Sequence, residues 1–219
     1  MIGEHQVHST IFDAEFQQPV YRCILRALSY PGTLCVLPRG ELPVATGFPV
    51  HVVLSALVDE IVSLYSDSQE GTADLVSQAF VRASGVSTAD VQSADFIVAS
   101  GQTFSLGNQT PICGTLYRPD ASATIILHCD ALATAPSGSA TSGSATSCSA
   151  PAGSATLFEI TGPGVQSTNR FAASGLVREW MDARDGWCAR YPMGVDLLLL
   201  DRHNMVGLPR TASIRIVTR

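Results

Sequence analysis

The sequence contains no lysine: all 13 basic side chains among its 219 residues are arginine. Without an ε-amino group there is no Schiff base to pyridoxal phosphate or to a carbonyl substrate. There is no Walker A lysine either, which excludes an ordinary P-loop NTPase. Recognition of phosphate or carboxylate falls to arginine forks, backbone N–H groups or metals. Charge of either sign is sparse, at 15% of residues with a net −6. No cluster of basic residues accompanies it, which speaks against nucleic-acid or membrane-surface partners. The six cysteines (Cys23, Cys35, Cys113, Cys129, Cys148 and Cys188) contain no CxxC pair, so a structural zinc site is not expected and most read as small core hydrophobes. No apolar run approaches the roughly 20 residues that span a bilayer. The start, MIGEHQVHSTIFDAEF, lacks a basic segment followed by an apolar one, so no signal peptide and a cytoplasmic location are expected. HExxH and GxSxG are absent, and His5, His8, His51, His128 and His203 form no metal pattern.

What is present is an apolar, glycine-containing chain, 46% hydrophobic with 18 glycines and 12 prolines, of a length that suits one domain. Val20, Cys23, Ile24, Ala27 and Leu28 share a helical face, with Pro19 placed in a first turn and Tyr30-Pro31-Gly32 as the stop. Thr33–Leu37 reads as a strand, Pro49–Asp59 as a helix, Ile61–Ser66 as a strand and Thr72–Ala83 as an amphipathic helix. Ala94–Ala99 and Thr124–Leu127 are strand-length apolar runs, separated by a surface excursion over Gly101–Asp120. Leu157 onwards is a strand entering a glycine turn, and Ser174–Arg184 reads as a helix. Val195–Leu200 is a buried strand, followed by a turn over Asp201–Asn204. Met205–Leu208 and Ser213–Val217 read as a closing antiparallel pair. The alternation predicts an α/β layered domain over residues 1–219. Within it, residues 133–156 repeat SGSAT in tandem at Ser137–Thr141 and Ser142–Thr146. So little apolar bulk predicts a flexible insertion loop.

Two stretches could carry chemistry. In the turn Thr161–Gly164, Gly162 and Gly164 permit positive φ, and exposed N–H groups there could cradle an anion, with Arg170 nearby; a plain β-turn is the commoner meaning. Tyr191-Pro192-Met193-Gly194 leads into a strand with Asp196 at its entrance, and Pro209-Arg210 follows the next strand. Asp196 and Arg210 suit a buried ion pair, or an arrangement that orients phosphate or ribose through the arginine fork.

Three blocks, FQQPVYRCILRALSYPGTL, EITGPGV and YPMGVDLLLLDRHNMVGLPRTASI, resemble in order and spacing the signature stretches of the PhnH family, one of the component proteins of carbon–phosphorus lyase. The Ser/Ala/Gly insertion departs from that family's compact form and fits a lengthened surface loop. The resemblance implies a layered α/β/α fold similar to the large domain of pyridoxal-phosphate transferases but without the cofactor. It also implies a homodimer, partnership with subunits G, I and J, and work in the bacterial cytoplasm. The implied role is accessory: support for forming α-D-ribose 1-methylphosphonate 5-triphosphate from ATP and methylphosphonate. The alternative is a nucleotide- or phosphonate-binding protein that lends phosphate contacts to a shared active site. Residue by residue, the resemblance falls on Pro31, Gly32, Gly162, Gly164, Pro192, Gly194, Asp196, Pro209 and Arg210, with no catalytic role attached to any of them.

Overall fold

Helix α1, Ala14–Ser29, forms where the apolar spacing places it, with Val20, Ile24 and Ala27 buried. The Asp13 carboxylate caps it by accepting the Glu15 N–H at 2.8 Å. Pro19 lies inside the helix rather than in its first turn. Its ring is on the exposed side, so the carbonyl that loses a donor there is open to water. The computed structural model describes residues 11–38, 48–67, 75–135 and 155–217. In chain order the further elements are β1 (Cys35–Val36), α2 (Phe48–Ser55), β2 (Ser63–Ser66), α3 (Gln78–Ser84), β3 (Ser87–Thr88), β4 (Phe96–Ser100), β5 (Thr124–His128), β6 (Ala131–Thr134), β7 (Thr156–Thr161), β8 (Asn169–Ser174), α4 (Arg178–Trp187), β9 (Asp196–Leu200), β10 (Asn204–Leu208) and β11 (Ser213–Val217).

The α/β class holds. Seven strands form one sheet in the order β1-β10-β9-β5-β4-β2-β3. Strands β2, β4, β5 and β9 run parallel, and β10 turns back antiparallel along β9. The parallel strands are apolar on both faces because both are covered. Val98, Ile126, Leu198 and Leu200 face a core built with α1, α2 and α3. Ile97, Ala99, Ile125, Leu127, Leu197 and Leu199 face a second core. That core contains Phe158, Ile160, Phe171 and Ala173 of a four-stranded antiparallel sheet, order β11-β7-β8-β6, together with Trp180 and Met181 of α4. The Phe158 and Phe171 rings stack at 5.0 Å, and the Trp180 indole N–H donates to the carbonyls of Ser100 and Thr103 at 3.1 and 3.0 Å. The layer over this face is thus a sheet plus one helix, not helices alone.

Several sequence expectations are corrected. Met205–Leu208 and Ser213–Val217 do not pair. β10 joins β9 in the large sheet, while β11 joins β7 in the small one, in register Ile214↔Ile160. The Pro209–Ala212 turn carries the chain between sheets. Strands β6 and β8 were hidden among small and polar residues, so Ser174 ends a strand and the helix starts at Arg178. Helix α3 begins after its cap Ser77, whose hydroxyl accepts the Phe80 N–H at 3.2 Å. Thr72–Asp74 lie outside the described residues, as do 136–154 of the expected insertion. The insertion's ends are ordered: Ala133 and Thr134 belong to β6 and Thr156 to β7. Gly101–Asp120 is irregular, yet it sends Leu106 into the core at 1% exposure.

Helix α1 lies directly on β10 because Gly207 has no side chain. A Cβ there would stand 2.5 Å from the Ala27 carbonyl. Gly207→Ala is expected to lower the unfolding free energy by about 2–3 kcal/mol, the scale of overpacking a rigid contact. Urea denaturation would measure it, and an unchanged midpoint would show that α1 slides freely on the sheet.

Candidate functional site

The three sequence blocks meet in space. The Thr161–Gly164 turn follows β7, the strand that pairs with β11, so it lies beside the Pro209–Ala212 turn that leads into β11. Gly162 has φ +128°, and a Cβ on it would stand 3.0 Å from the Thr211 carbonyl oxygen. Gly164 has φ +82°, and a Cβ there would overlap the Ser29 carbonyl and stand 3.0 Å from the Pro31 ring. On the side where a Cβ would point, the turn packs against the chain's own backbone, while Thr161–Gly164 stay exposed on the outside. Pro31 and Gly32 are held in turn: the Asn169 side-chain amide donates to the Pro31 carbonyl at 2.7 Å, and the Gly32 N–H donates to the Gly207 carbonyl at 3.2 Å. Glycine is needed here for close approach between turns.

Asp196 and Arg210 form the expected pair. Asp196 opens β9, and antiparallel β10 returns the chain to that end, Leu208 opposite Leu197. The Arg210 backbone N–H and Nε donate to Asp196 Oδ1 at 2.7 and 3.2 Å, and Nη2 donates to Oδ2 at 2.6 Å. Nη1 donates to the Pro119 carbonyl. All three guanidinium nitrogens are engaged within the chain, with the side chains 16% and 20% exposed. The fork joins Asp196 to the loop over 113–120. Gly194 completes this anchor. Its N–H donates to the Cys113 carbonyl at 2.8 Å, and a Cβ on it would stand 2.8 Å from Cys188 Sγ. The Tyr191–Pro192 peptide bond is cis, and Pro209 gives its carbonyl to Arg184 Nη2 at 2.6 Å.

Arg184 was missed. It lies on the inner face of α4, spaced with Trp180 and Met181, and its side chain is 1% exposed. Its guanidinium holds the carbonyls of Pro209 and Ala212 at 2.6 and 2.9 Å, fixing the turn that carries Arg210. A charged residue at an apolar helical position was the available signal. Asp201 opens the turn expected after β9. It is 5% exposed, and its carboxylate accepts the N–H groups of Leu132, His203 and Asn204 at 2.7, 2.6 and 2.6 Å. It joins β6 to the β9–β10 turn. Arg170, considered for anion contact, pairs instead with Glu159 at 2.7 Å, and Arg215 reaches the same carboxylate. Together Arg170 first and Arg215 second hold Glu159 below the usual carboxylate range.

Burial pushes the thiols of Cys113 and Cys129 up, and that of Cys23 up to about 12, which keeps them protonated. Among the described residues no group of three His, Cys, Asp or Glu side chains could hold a metal. His5, His8 and Cys148 lie outside them. His51 stacks on Phe80 at 4.9 Å. His128, at the carboxyl end of β5, is shifted down by burial, against the opposing pull of Asp130 and Asp201. No described helix is long and apolar enough to cross a membrane.

Asp196→Ala would leave Arg210 with no counter-charge in a mostly buried place. It should cost about 3 kcal/mol of stability, and Asp196→Ala with Arg210→Met should cost less than the single change. Equal losses in urea melts would show that an unpaired Arg210 carries no penalty of its own. His128 gives a pH test. Its folded-state pKa lies below the unfolded value of about 6.5, so the unfolded chain takes up its proton first as pH falls. Stability is retained above about pH 6.5 and declines as pH drops through that window toward the folded pKa. NMR titration should place the His128 midpoint below 6.5, and a midpoint above it would contradict this sign.

Comparison with known proteins agrees with the interlocked blocks. The sequence pattern of the family described as "Bacterial phosphonate metabolism protein (PhnH)" matches residues 11–215. A curated relative, "Putative C-P lyase subunit protein HtxG" of Stutzerimonas stutzeri, is 29% identical over 206 residues, covering 94% of this chain and 89% of the relative. With all three blocks inside the matched range, the chain belongs to the PhnH family of bacterial phosphonate metabolism proteins.

Proposed function

We propose that this chain is an accessory, non-catalytic subunit of a carbon–phosphorus lyase system. It supports formation of α-D-ribose 1-methylphosphonate 5-triphosphate in the bacterial cytoplasm and works with subunits G, I and J. In that reaction a phosphonate oxygen attacks C1′ of the ATP ribose, the glycosidic bond breaks, and adenine leaves with its bonding pair and takes a proton. The family match and the relative named as a putative C-P lyase subunit support the setting. The observation that carries the accessory role is that the matched positions contact one another. Gly162 and Gly164 close on Thr211 and Ser29, and every guanidinium nitrogen of Arg210 has a partner within the chain. Roles within the fold account for these positions without a part in the reaction.

As parts of the same reading, the chain forms a homodimer by itself and folds as one domain. Its layered sheet is akin to the large domain of pyridoxal-phosphate transferases. With no lysine in the sequence, any such kinship is one of fold, without the aldimine.

Tagged chain co-expressed with subunits G, I and J should co-purify in fixed stoichiometry by native mass spectrometry. Purified alone, it should release no adenine from ATP and methylphosphonate. Adenine release by the isolated chain would overturn the non-catalytic role. Clean purification of the chain alone, with folded partners present, would overturn the subunit role.

A further inference from the structure

The outer face of α1 carries side chains that the fold does not require. Tyr21 and Leu25, one turn apart, are 47% and 48% exposed, and Tyr30 at the helix end is 56% exposed. Beside that apolar row stand Arg22 and Arg26, also one turn apart and exposed. Among the described residues neither makes an ion pair. On one flank the patch continues to edge strand β1, where Val36 is 72% exposed and its carbonyl accepts the Cys23 thiol at 3.5 Å. On the other flank, Tyr21 and Gln18 wall an open cleft of about 280 Å³ against Ala56. At Gln17 and Ala56 this cleft meets a second of about 430 Å³ that reaches Phe12 and Val58.

We propose that this face of α1 is the docking site of another protein, which lays an amphipathic segment along Tyr21 and Leu25 and sets carboxylates against Arg22 and Arg26. The inference rests on the subunit reading and names the surface that serves it. Charge selects the occupant. The chain carries a net −6, so two neighbouring arginines with no ion pair among the described residues form a local exception that an acidic surface complements. The helix's own acids do not neutralise them: Asp13 is engaged as the cap, and Glu15 lies about 10 Å along the axis from Arg22. Two arginines are too few for a nucleic-acid backbone, whose binding scales with the number of phosphates neutralised. A second copy laid antiparallel on the apolar row would place Arg22 and Arg26 opposite themselves across a two-fold axis, setting like charges together. Arginine also suits such a place because its stem packs on apolar surface while its fork meets carboxylate.

The test uses the full chain co-expressed with its carbon–phosphorus lyase partner subunits. Arg22→Glu with Arg26→Glu should reduce recovered complex at least tenfold. Arg22→Lys with Arg26→Lys should retain most of it, and rising salt should weaken the native complex. Tyr21→Ser with Leu25→Ser should lose it independently of charge. Arg178→Glu, at an exposed arginine on α4, should leave assembly unchanged. Native circular dichroism and melting temperature of each variant establish that it folds. If the folded charge-reversed and Tyr21/Leu25 variants assemble like the native chain, the docking face is wrong while the subunit reading stands. If the native chain itself fails to assemble, the subunit reading falls and takes this inference with it. If charge reversal instead converts the isolated chain from dimer to monomer, the face joins two copies and the proposal is overturned.

Discussion

The rest of the structure depends on strand β9 being buried on both faces. Leu198 and Leu200 close the core under α1, α2 and α3, while Leu197 and Leu199 close the one under the small sheet and α4. A strand in that position cannot have a polar face, which is why VDLLLL has no alternation. Its only charged member, Asp196, stands at the entrance, where the register ends and a partner can reach it. Because β10 runs back along β9, that partner arrives from the far end of β10. Arg210 is the result of strand geometry as much as of side-chain chemistry.

Four polar side chains near the core each close a chain crossing. Arg184 holds the turn that takes the chain from β10 to β11, and Asp201 ties the β9–β10 turn to β6. Asn169 ties the small sheet to the end of α1, and Arg210 ties β9 to the loop over 113–120. Buried polar groups without partners are costly, so such side chains are tolerated where a crossing leaves carbonyls and N–H groups unsatisfied. The family's sequence signature therefore encodes crossings. A signature of this kind identifies a fold reliably and says little about which surface does the work.

This also explains what the sequence made legible. Helix α1 and the apolar strands β4, β5 and β9 were readable because period and length are local properties, and Asp196 with Arg210 because a charge beside an apolar run needs a partner. Strands β6 and β8 were not readable: ALAT and NRFAAS owe their state to pairing with each other in register Ala131↔Ser174, and small side chains carry no period of their own. The pairing of β10 with β9, and of β11 with β7, turned on which sheet had an open edge, a property of the assembled fold. Glycines in the Thr161–Gly164 turn looked like a ligand cradle. Only three dimensions show that Ser29 and Thr211 stand where side chains on these glycines would go.

The choice of arginine over lysine at inward positions becomes intelligible in the same terms. Arg210 serves Asp196 and the Pro119 carbonyl at once, and Arg184 spans two carbonyls of one turn while also meeting Asp185 at 3.4 Å. Arg170 places two nitrogens on a single Glu159 oxygen, at 3.0 and 2.7 Å. Each of these needs a planar group with several fixed donors, which an ammonium on a flexible stem does not supply. Arg184 and Arg210 are accounted for by the crossings they close, and Arg170 by Glu159 opposite it on β7. Arg22 and Arg26 satisfy nothing within the described chain, and they stand next to exposed Tyr21 and Leu25 on a helix whose other face is fully packed. Folding alone would be served as well by neutral polar side chains at those positions. The forces that shaped the interior therefore leave α1's outer face unexplained, and its composition makes sense once that face, too, has something to meet.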